Sequence, residues 1–324
     1  MKRKILDMLK QQQTWVSGEQ LCRELGVSRT AVWKHIGSLR EDGYDIEARA
    51  NLGYRLRRVP DTPFPAEVIA GLDTAVVGRR VEYYPEVAST NEEARQLAQA
   101  GCAEGTVVVA DAQNGGKGRM GRGWFSPRAK GLWFSVVLRP PVNPMETPQV
   151  TMVAAVAVAA ALREHTGVRA GIKWPNDILV KGRKICGILV ELNAEADRVN
   201  FMVAGVGLNV NVARDEFPPE VRDTATSLLQ ETGRHVPRVP LFRAVLAQLD
   251  RWYGRWLEEG FASVLDAWRR LCVTLDCPVT VHTMRDSFHG HALDVDETGA
   301  LLVRTPEGQI KRLLAGEVTL RRLY

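Results

Sequence analysis

Apolar and polar positions follow three different rhythms along this chain. In the first sixty residues the period is helical. Ile5, Leu6 and Leu9 make one side of a short first helix, Leu21 and Leu25 of a second, and Val32, Ile36 and Leu39 of a third. Ser17-Gly-Glu-Gln20 has capping-box spacing before the second helix, Gly26 ends it, and Ser28 caps the third. Helix, glycine-containing turn and helix is the helix-turn-helix arrangement. Tyr44–Arg49 and Tyr54–Arg58 then read as two strands around Asn51-Leu52-Gly53, a wing, and the proline-spaced Val59–Pro65 as a stiff linker. Beyond it come runs of buried-strand type: Val81–Tyr84, Thr106–Asp111, Leu132–Leu138, Ile178–Val180, Arg183–Glu191 and Phe201–Asn209. Between them lie a helix over Glu92–Ala100 and an Ala/Val run, Met152–Leu162, which reads as a core helix too short to cross a bilayer. After Trp268 the period shortens to small strands, Cys277–His282, His289–Val295, Ala300–Arg304 and Gln309–Leu314, with turns at Asp296–Gly299 and Thr305–Gly308. The pattern predicts an α+β chain in three parts: 1–60, 61–270 and a small β-barrel over 271–324.

Composition adds one strong asymmetry. Residues 1–60 hold 12 Lys/Arg against 7 Asp/Glu, whereas the rest hold 31 of each, so the whole formal excess of +5 sits in the first part. A basic small domain on a neutral body suggests a polyanionic partner. Ser28 at the cap, with Arg29, Thr30, Trp33 and Lys34 off the core stripe of the third helix, occupies the half that enters a major groove in this motif. Arg49, Arg55 and Arg57 on the wing are placed for phosphates. The competing reading is a scaffold that never meets DNA. Five cysteines without a CxxC pair argue for reduced thiols and against zinc. The charged N-terminus lacks the apolar core of a secretory leader, so a soluble, cytoplasmic chain with no membrane partner is expected.

The chemistry concentrates in Gln113-Asn-Gly-Gly-Lys-Gly-Arg-Met-Gly-Arg-Gly-Trp124. Five glycines in twelve residues exclude a helix or central strand, and three cations on such a loop suit a carboxylate, a phosphate or both. Alone, it also reads as a solvated linker. The GxGxxG within it, Gly116–Gly121, has no amphipathic helix after it, which argues against a dinucleotide fingerprint. Ser89-Thr90-Asn91, at a strand-to-helix corner, suits either plain capping or hydrogen bonding to a neutral, amide-like ligand. Lys173-Trp-Pro-Asn-Asp177 precedes a hairpin across which Asp177 and Lys184 face one another, as a salt bridge or as a group stabilising charge at a phosphoryl centre. His282, His289 and His291 fall on the last strands without a partnering carboxylate pattern, so no metal site is expected.

Taken in order, Ser89-Thr90-Asn91, Gln113, Gly116–Arg122, Trp124, Lys173–Asp177, Arg183–Glu191 and Gly205-Val-Gly-Leu-Asn209 closely resemble the biotin–protein ligases. With the helix-turn-helix, the chain resembles the bacterial bifunctional form, ligase plus biotin operon repressor. The resemblance implies a winged helix, a central mixed α/β ligase domain related to class II synthetases, and an SH3-like C-terminal barrel. It implies that biotin attacks the α-phosphate of ATP, with Mg²⁺ accompanying the nucleotide. Biotinyl-5′-AMP then passes biotin to a lysine of a biotin carboxyl carrier protein. Ser89, Thr90, Asn91 and Gln113 would hold the biotin head group, and Lys117, Gly118 and Arg119 the carboxylate and adenylate phosphate. Gly116 and Arg122 would join them on the nucleotide, Trp124 would pack on the apolar part, Lys184 and Asp177 would act at the reacting centre, and Asn209 would lie near adenine. A homodimer formed with biotinyl-AMP bound would grip operator DNA upstream of biotin genes. Lysine at 117 where arginine is frequent, Met120, and the lack of tryptophan in 215–229 depart from the family pattern. Lipoate–protein ligases share the chemistry, but the loop and the winged helix speak against them.

Overall fold

The computed structural model describes residues 1–12, 14–196, 198–283, 286–314 and 316–320; the last four residues of the expected barrel, 321–324, lie outside this set. The chain forms two compact units, 1–62 and 63–324. In the first unit α1 (Lys2–Gln12), α2 (Gly18–Leu25) and α3 (Arg29–Glu41) precede a two-stranded wing, β1 (Asp45–Arg49) and β2 (Gly53–Arg58). The expected apolar stripes form its core: Ile5, Leu6, Leu9, Leu21, Val32, Ile36 and Leu39 are all essentially inaccessible. Ser17 and Ser28 accept hydrogen bonds from the Gln20 and Ala31 amides, and Gly26 takes the left-handed φ of 65° that closes α2. Both caps satisfy backbone donors that the helix itself leaves open.

The second unit is built on a seven-stranded sheet. Its members are β3 (Val81–Tyr84), β4 (Val107–Ala110), β5 (Gly131–Leu138), β6 (Gly171–Lys173), β7 (Asp177–Val180), β8 (Arg183–Ala194) and β9 (Val199–Asn209). The strand order is β3-β4-β5-β9-β8-β7-β6. Only β3 and β4 run parallel; the other neighbours are antiparallel. Alternation along the strands sorts the layers. Val107, Val109, Val136 and Val206 join a large core with α6 (Thr147–Thr166), α8 (Arg238–Glu259) and α9 (Phe261–Leu271). Val108, Val137, Phe201 and Val203 pack on the opposite face against Ala94 and Ala98 of α5 (Thr90–Gln99). Short helices α4 (Pro65–Ile69) and α7 (Leu228–Thr232) also belong to this unit.

Helix α6 is longer than its Ala/Val run: with the turn before it, it is long and apolar enough by composition to cross a membrane. Two thirds of that apolar window is buried inside the protein, as in a core helix. The expectation of a segment too short to span is therefore corrected. The tail forms a five-stranded antiparallel sheet, β13-β12-β11-β10-β14, from β10 (Pro278–His282), β11 (Ser287–Val295), β12 (Leu301–Arg304), β13 (Ile310–Leu313) and β14 (Glu317–Leu320). Sequence periodicity predicts four of these strands. It misses β14, which has one buried residue, Val318, and pairs with the distant β10.

Candidate functional site

Three glycines open a face of the sheet on β8 and β9. A side chain at Gly205 would overlap the Asn91 carboxamide, and one at Gly207 the Trp124 indole. At Gly187 a Cβ would stand 2.9 Å from the same indole. The glycines let a buried amide and a flat ring lie directly on the sheet.

Beside that floor runs a line of neutral polar groups, buried except for the half-buried Gln113. The Ser135 hydroxyl lies within hydrogen-bond reach of Thr90 Oγ1 (2.8 Å) and Asn91 Oδ1 (2.6 Å). The Thr90 amide and hydroxyl donate to Gln113 Oε1, and Gln113 Nε2 donates to Ser126 Oγ at 2.9 Å. Asn91 Nδ2 donates to Glu191 Oε2 at 2.6 Å. Ser89 precedes α5 but makes no side-chain cap. These contacts decide between the two readings of Ser89-Thr90-Asn91. The Thr90 and Asn91 side chains belong to the polar wall, although both ends of the Asn91 amide are engaged by protein. Ser135 and Ser126 escaped sequence reasoning. A lone hydroxyl in the apolar run Leu132-Trp-Phe-Ser-Val-Val-Leu138 is the signal that could have found the first.

The glycine loop folds as a tight hairpin. Trp124 N donates to Gly116 O (2.8 Å), Gly118 N to Arg122 O (2.7 Å) and Arg122 N to Arg119 O (3.3 Å). Met120 and Gly121 take positive φ at the tip. The cations of the loop are not bare. Lys117 Nζ is 3.3 Å from Glu92. Arg119 donates to Asn176 Oδ1 (3.2 Å) and to the Gly316 carbonyl (3.3 Å). Arg122 pairs with Glu317 through two bonds of 2.7 and 2.6 Å. Burial pulls the Arg119 pKa below arginine's ordinary value, with Asp177 opposing. The hydrogen bonds to Glu317 push that of Arg122 up and hold the Glu317 carboxyl below its usual range.

Lys184 and Asp177 meet as the hairpin spacing predicts: Lys184 Nζ is 2.7 Å from Asp177 Oδ1 and 5.1 Å from the centre of the Trp124 ring. Lys173 stands 4.0 Å from the other carboxylate oxygen, and desolvation lowers its pKa. Residues 224–226 are zipped to the start of β8, with Lys184 N donating to Thr224 O and Thr226 N to Lys184 O. Asn209 Nδ2 donates to Thr226 O at 3.0 Å. Two polar atoms here are buried without a hydrogen-bond partner among the described residues, Asn209 Oδ1 and Trp124 Nε1. Such orphans cost free energy unless something else satisfies them. Where a tryptophan is lacking in 215–229, Phe217 instead forms a small cluster with Val212 and Ala225, its ring 6.2 Å from that of Phe125. The site thus joins a neutral polar pocket to a cationic end, with an unsatisfied acceptor at Asn209.

In the first unit, Ser28, Arg29, Thr30, Trp33 and Lys34 are all exposed, Trp33 to 68%. Arg49 is exposed too, and is bonded to Glu47.

Comparison with known proteins follows the same division. Residues 2–55 match a helix-turn-helix domain model, 83–209 the biotin/lipoate A/B protein ligase family, and 274–321 the biotin protein ligase C-terminal domain. The bifunctional ligase/repressor BirA of Bacillus subtilis is 40% identical over 306 residues, covering 94% of each chain. That of Escherichia coli is 32% identical, covering 94% of this chain and 92% of the relative. Among solved structures, the biotin protein ligase from Aquifex aeolicus in complex with biotin and ATP is 32% identical with a TM-score of 0.65, covering 75% of this chain and 99% of that one.

Proposed function

The chain belongs to the family of bifunctional biotin protein ligases and repressors, and from that premise we propose how its residues divide the work. It is an ATP-dependent, AMP-forming biotin–[acetyl-CoA-carboxylase] ligase that also represses transcription through its helix-turn-helix. We assign DNA binding to residues 1–60, biotin activation to 61–270 and support of the site to 271–324.

Biotin's neutral head group is held by the polar wall of Ser89, Thr90, Asn91 and Gln113, with Ser135 fixing the orientation of Thr90 and Asn91 from below. A group able to donate and accept hydrogen bonds fits this wall, whereas the dithiolane of lipoate offers it nothing comparable. That contrast favours biotin. Trp124 packs on the ligand's apolar part. Biotin carboxylate and the α-phosphate of ATP are both anions, so attack requires cations at the reacting centre. Lys184, Lys117 and Arg119 supply them, with the backbone of Gly116 and Gly118 close to the phosphate. Arg122 serves the nucleotide's outer phosphates, and Mg²⁺ enters with ATP. Asp177 keeps Lys184 in place until the phosphate draws it across. Asn209 Oδ1 is suited to accept from the adenine amino group. In the second step the acceptor lysine attacks the mixed anhydride and AMP leaves.

The observation that carries this reading is Lys184, fixed by Asp177 above the indole that covers the glycine floor. Lys184→Ala is expected to cut biotin-dependent pyrophosphate exchange by roughly a hundredfold or more, with the thermal unfolding midpoint little changed. Exchange at the wild-type rate would remove Lys184 from the mechanism.

Repression calls for two recognition helices, hence a homodimer that forms when biotinyl-AMP is bound. The last part of β8 supports it. The register of β7 on β8 ends at Gly187, which leaves Leu189–Ala194 without a strand on that side among the described residues, and Leu192 is exposed. A second copy or a biotin carboxyl carrier protein would complete that edge. ATP chemistry and five free cysteines suit the cytoplasm.

A further inference from the structure

The outward face of the wing carries four charged side chains and one indole. Glu47, Arg49, Arg55 and Arg57 alternate with Ile46, Ala48 and Leu56 along β1 and β2, so the charged set shares the side opposite the buried Ile46. All three guanidiniums converge on one carboxylate. Arg49 Nε donates to Glu47 Oε1 at 2.8 Å, and Arg55 Nη2 and Arg57 Nε donate to Oε2 at 3.0 and 2.6 Å. Trp15 lies against the same cluster, with the Arg49 and Arg55 guanidinium carbons 5.3 and 4.7 Å from its ring centre. Arg55 is the more enclosed: its Nε is buried without a hydrogen-bond partner among the described residues. Arg49 and Arg57 stay half exposed.

A carboxylate at the centre of a DNA-facing arginine cluster is poor design for binding phosphate tightly. It opposes the nearest phosphates and occupies the donors meant for them. It is sound design for limiting what the cluster binds. Non-specific affinity for DNA is almost wholly phosphate neutralisation, and it competes with site-specific binding across a whole genome. We propose that Glu47 is a specificity residue of the repressor: it holds the wing arginines in reserve, and only a duplex whose phosphates arrive in register draws Arg49 and Arg57 away from it. The cluster holds Glu47 ionised, its pKa brought down to about 2 chiefly by the Arg55 hydrogen bond. Glu47 therefore keeps its charge through the ordinary titration range of a glutamate. The inference rests on the DNA-binding reading of the first unit.

The test is binding of the full chain to a random-sequence 30-base-pair duplex, measured over a salt series from low to physiological ionic strength. Glu47→Gln keeps the side-chain shape while weakening the hold on the arginines. It is expected to raise affinity at low salt about tenfold. The slope of log K against log salt should steepen by about 1–2, one for each arginine released. Glu47→Asp, which keeps the charge on a shorter arm, should give a smaller rise. Glu41→Gln removes an exposed charge elsewhere in the unit and should move affinity less than threefold. Equal or weaker binding by Glu47→Gln, or an equal gain from Glu41→Gln, overturns the proposal while leaving DNA binding intact. If the wild-type chain shows no salt-dependent binding to duplex at all, the DNA-binding reading falls and this inference with it.

Discussion

The two ends of the proposed ligand site solve opposite problems. At the neutral end, Ser135, Thr90, Asn91, Gln113 and Ser126 are hydrogen-bonded to one another. At the charged end, Lys117, Arg122 and Lys184 are each paired with a carboxylate, Glu92, Glu317 and Asp177 respectively. Neutral donors and acceptors can be assembled in advance because their mutual bonds offset desolvation. On the proposed assignment, cations gathered for a phosphate repel one another until it arrives, so these three are stored on counter-ions that the phosphate must displace. Recognition is thus built rigid, and charge compensation is built exchangeable.

Breaking the rigid end has a larger consequence than removing the counter-ion of a stored cation. Gly205→Ala places a methyl group where the Asn91 carboxamide lies. It is expected to cost about 1–3 kcal/mol in unfolding free energy and to weaken biotin binding by up to roughly a hundredfold, read by calorimetric titration. Ser135→Ala leaves the partners of that hydroxyl underbonded in a buried position. A rise of about tenfold in KM for biotin is expected, with kcat little changed and stability lower by about 1–2 kcal/mol. Glu92→Gln, at the exchangeable end, frees an exposed Lys117. It should change KM for ATP by less than about threefold, and the difference should vanish at high salt. If Glu92→Gln proved as damaging as Ser135→Ala, the contrast between the two ends would be lost.

Those two ends were unequally legible in the sequence. The glycine loop, its cations and the Lys184–Asp177 pair are local in the chain: glycine density marked the first two, and hairpin spacing the third. The helix caps at Ser17 and Ser28 and the buried stripes of the first unit followed from spacing for the same reason. The polar wall was only half visible, because Ser135 acquires its meaning from partners 44 and 45 residues away. Glu317 carried no signal at all: it sits in a four-residue strand and meets Arg122 across 195 positions. Helices α8 and α9 went unread for lack of any motif to draw attention to them. Periodicity reports which face is buried, not what it is buried against.

The Arg119 loop and the Trp174–Asn176 corner depend on segments far along the chain. Trp174 N donates to Thr274 Oγ1 and its indole to the Gly299 carbonyl, while Arg119 reaches Gly316 and Arg122 reaches Glu317. During synthesis the ribosome delivers the glycine loop about two hundred residues before those partners. On the proposed assignment, the residues of the biotin wall are all synthesised before the supports of the phosphate-handling loop exist. On that assignment, the loop that handles charge reaches its final geometry only when the end of the chain is in place.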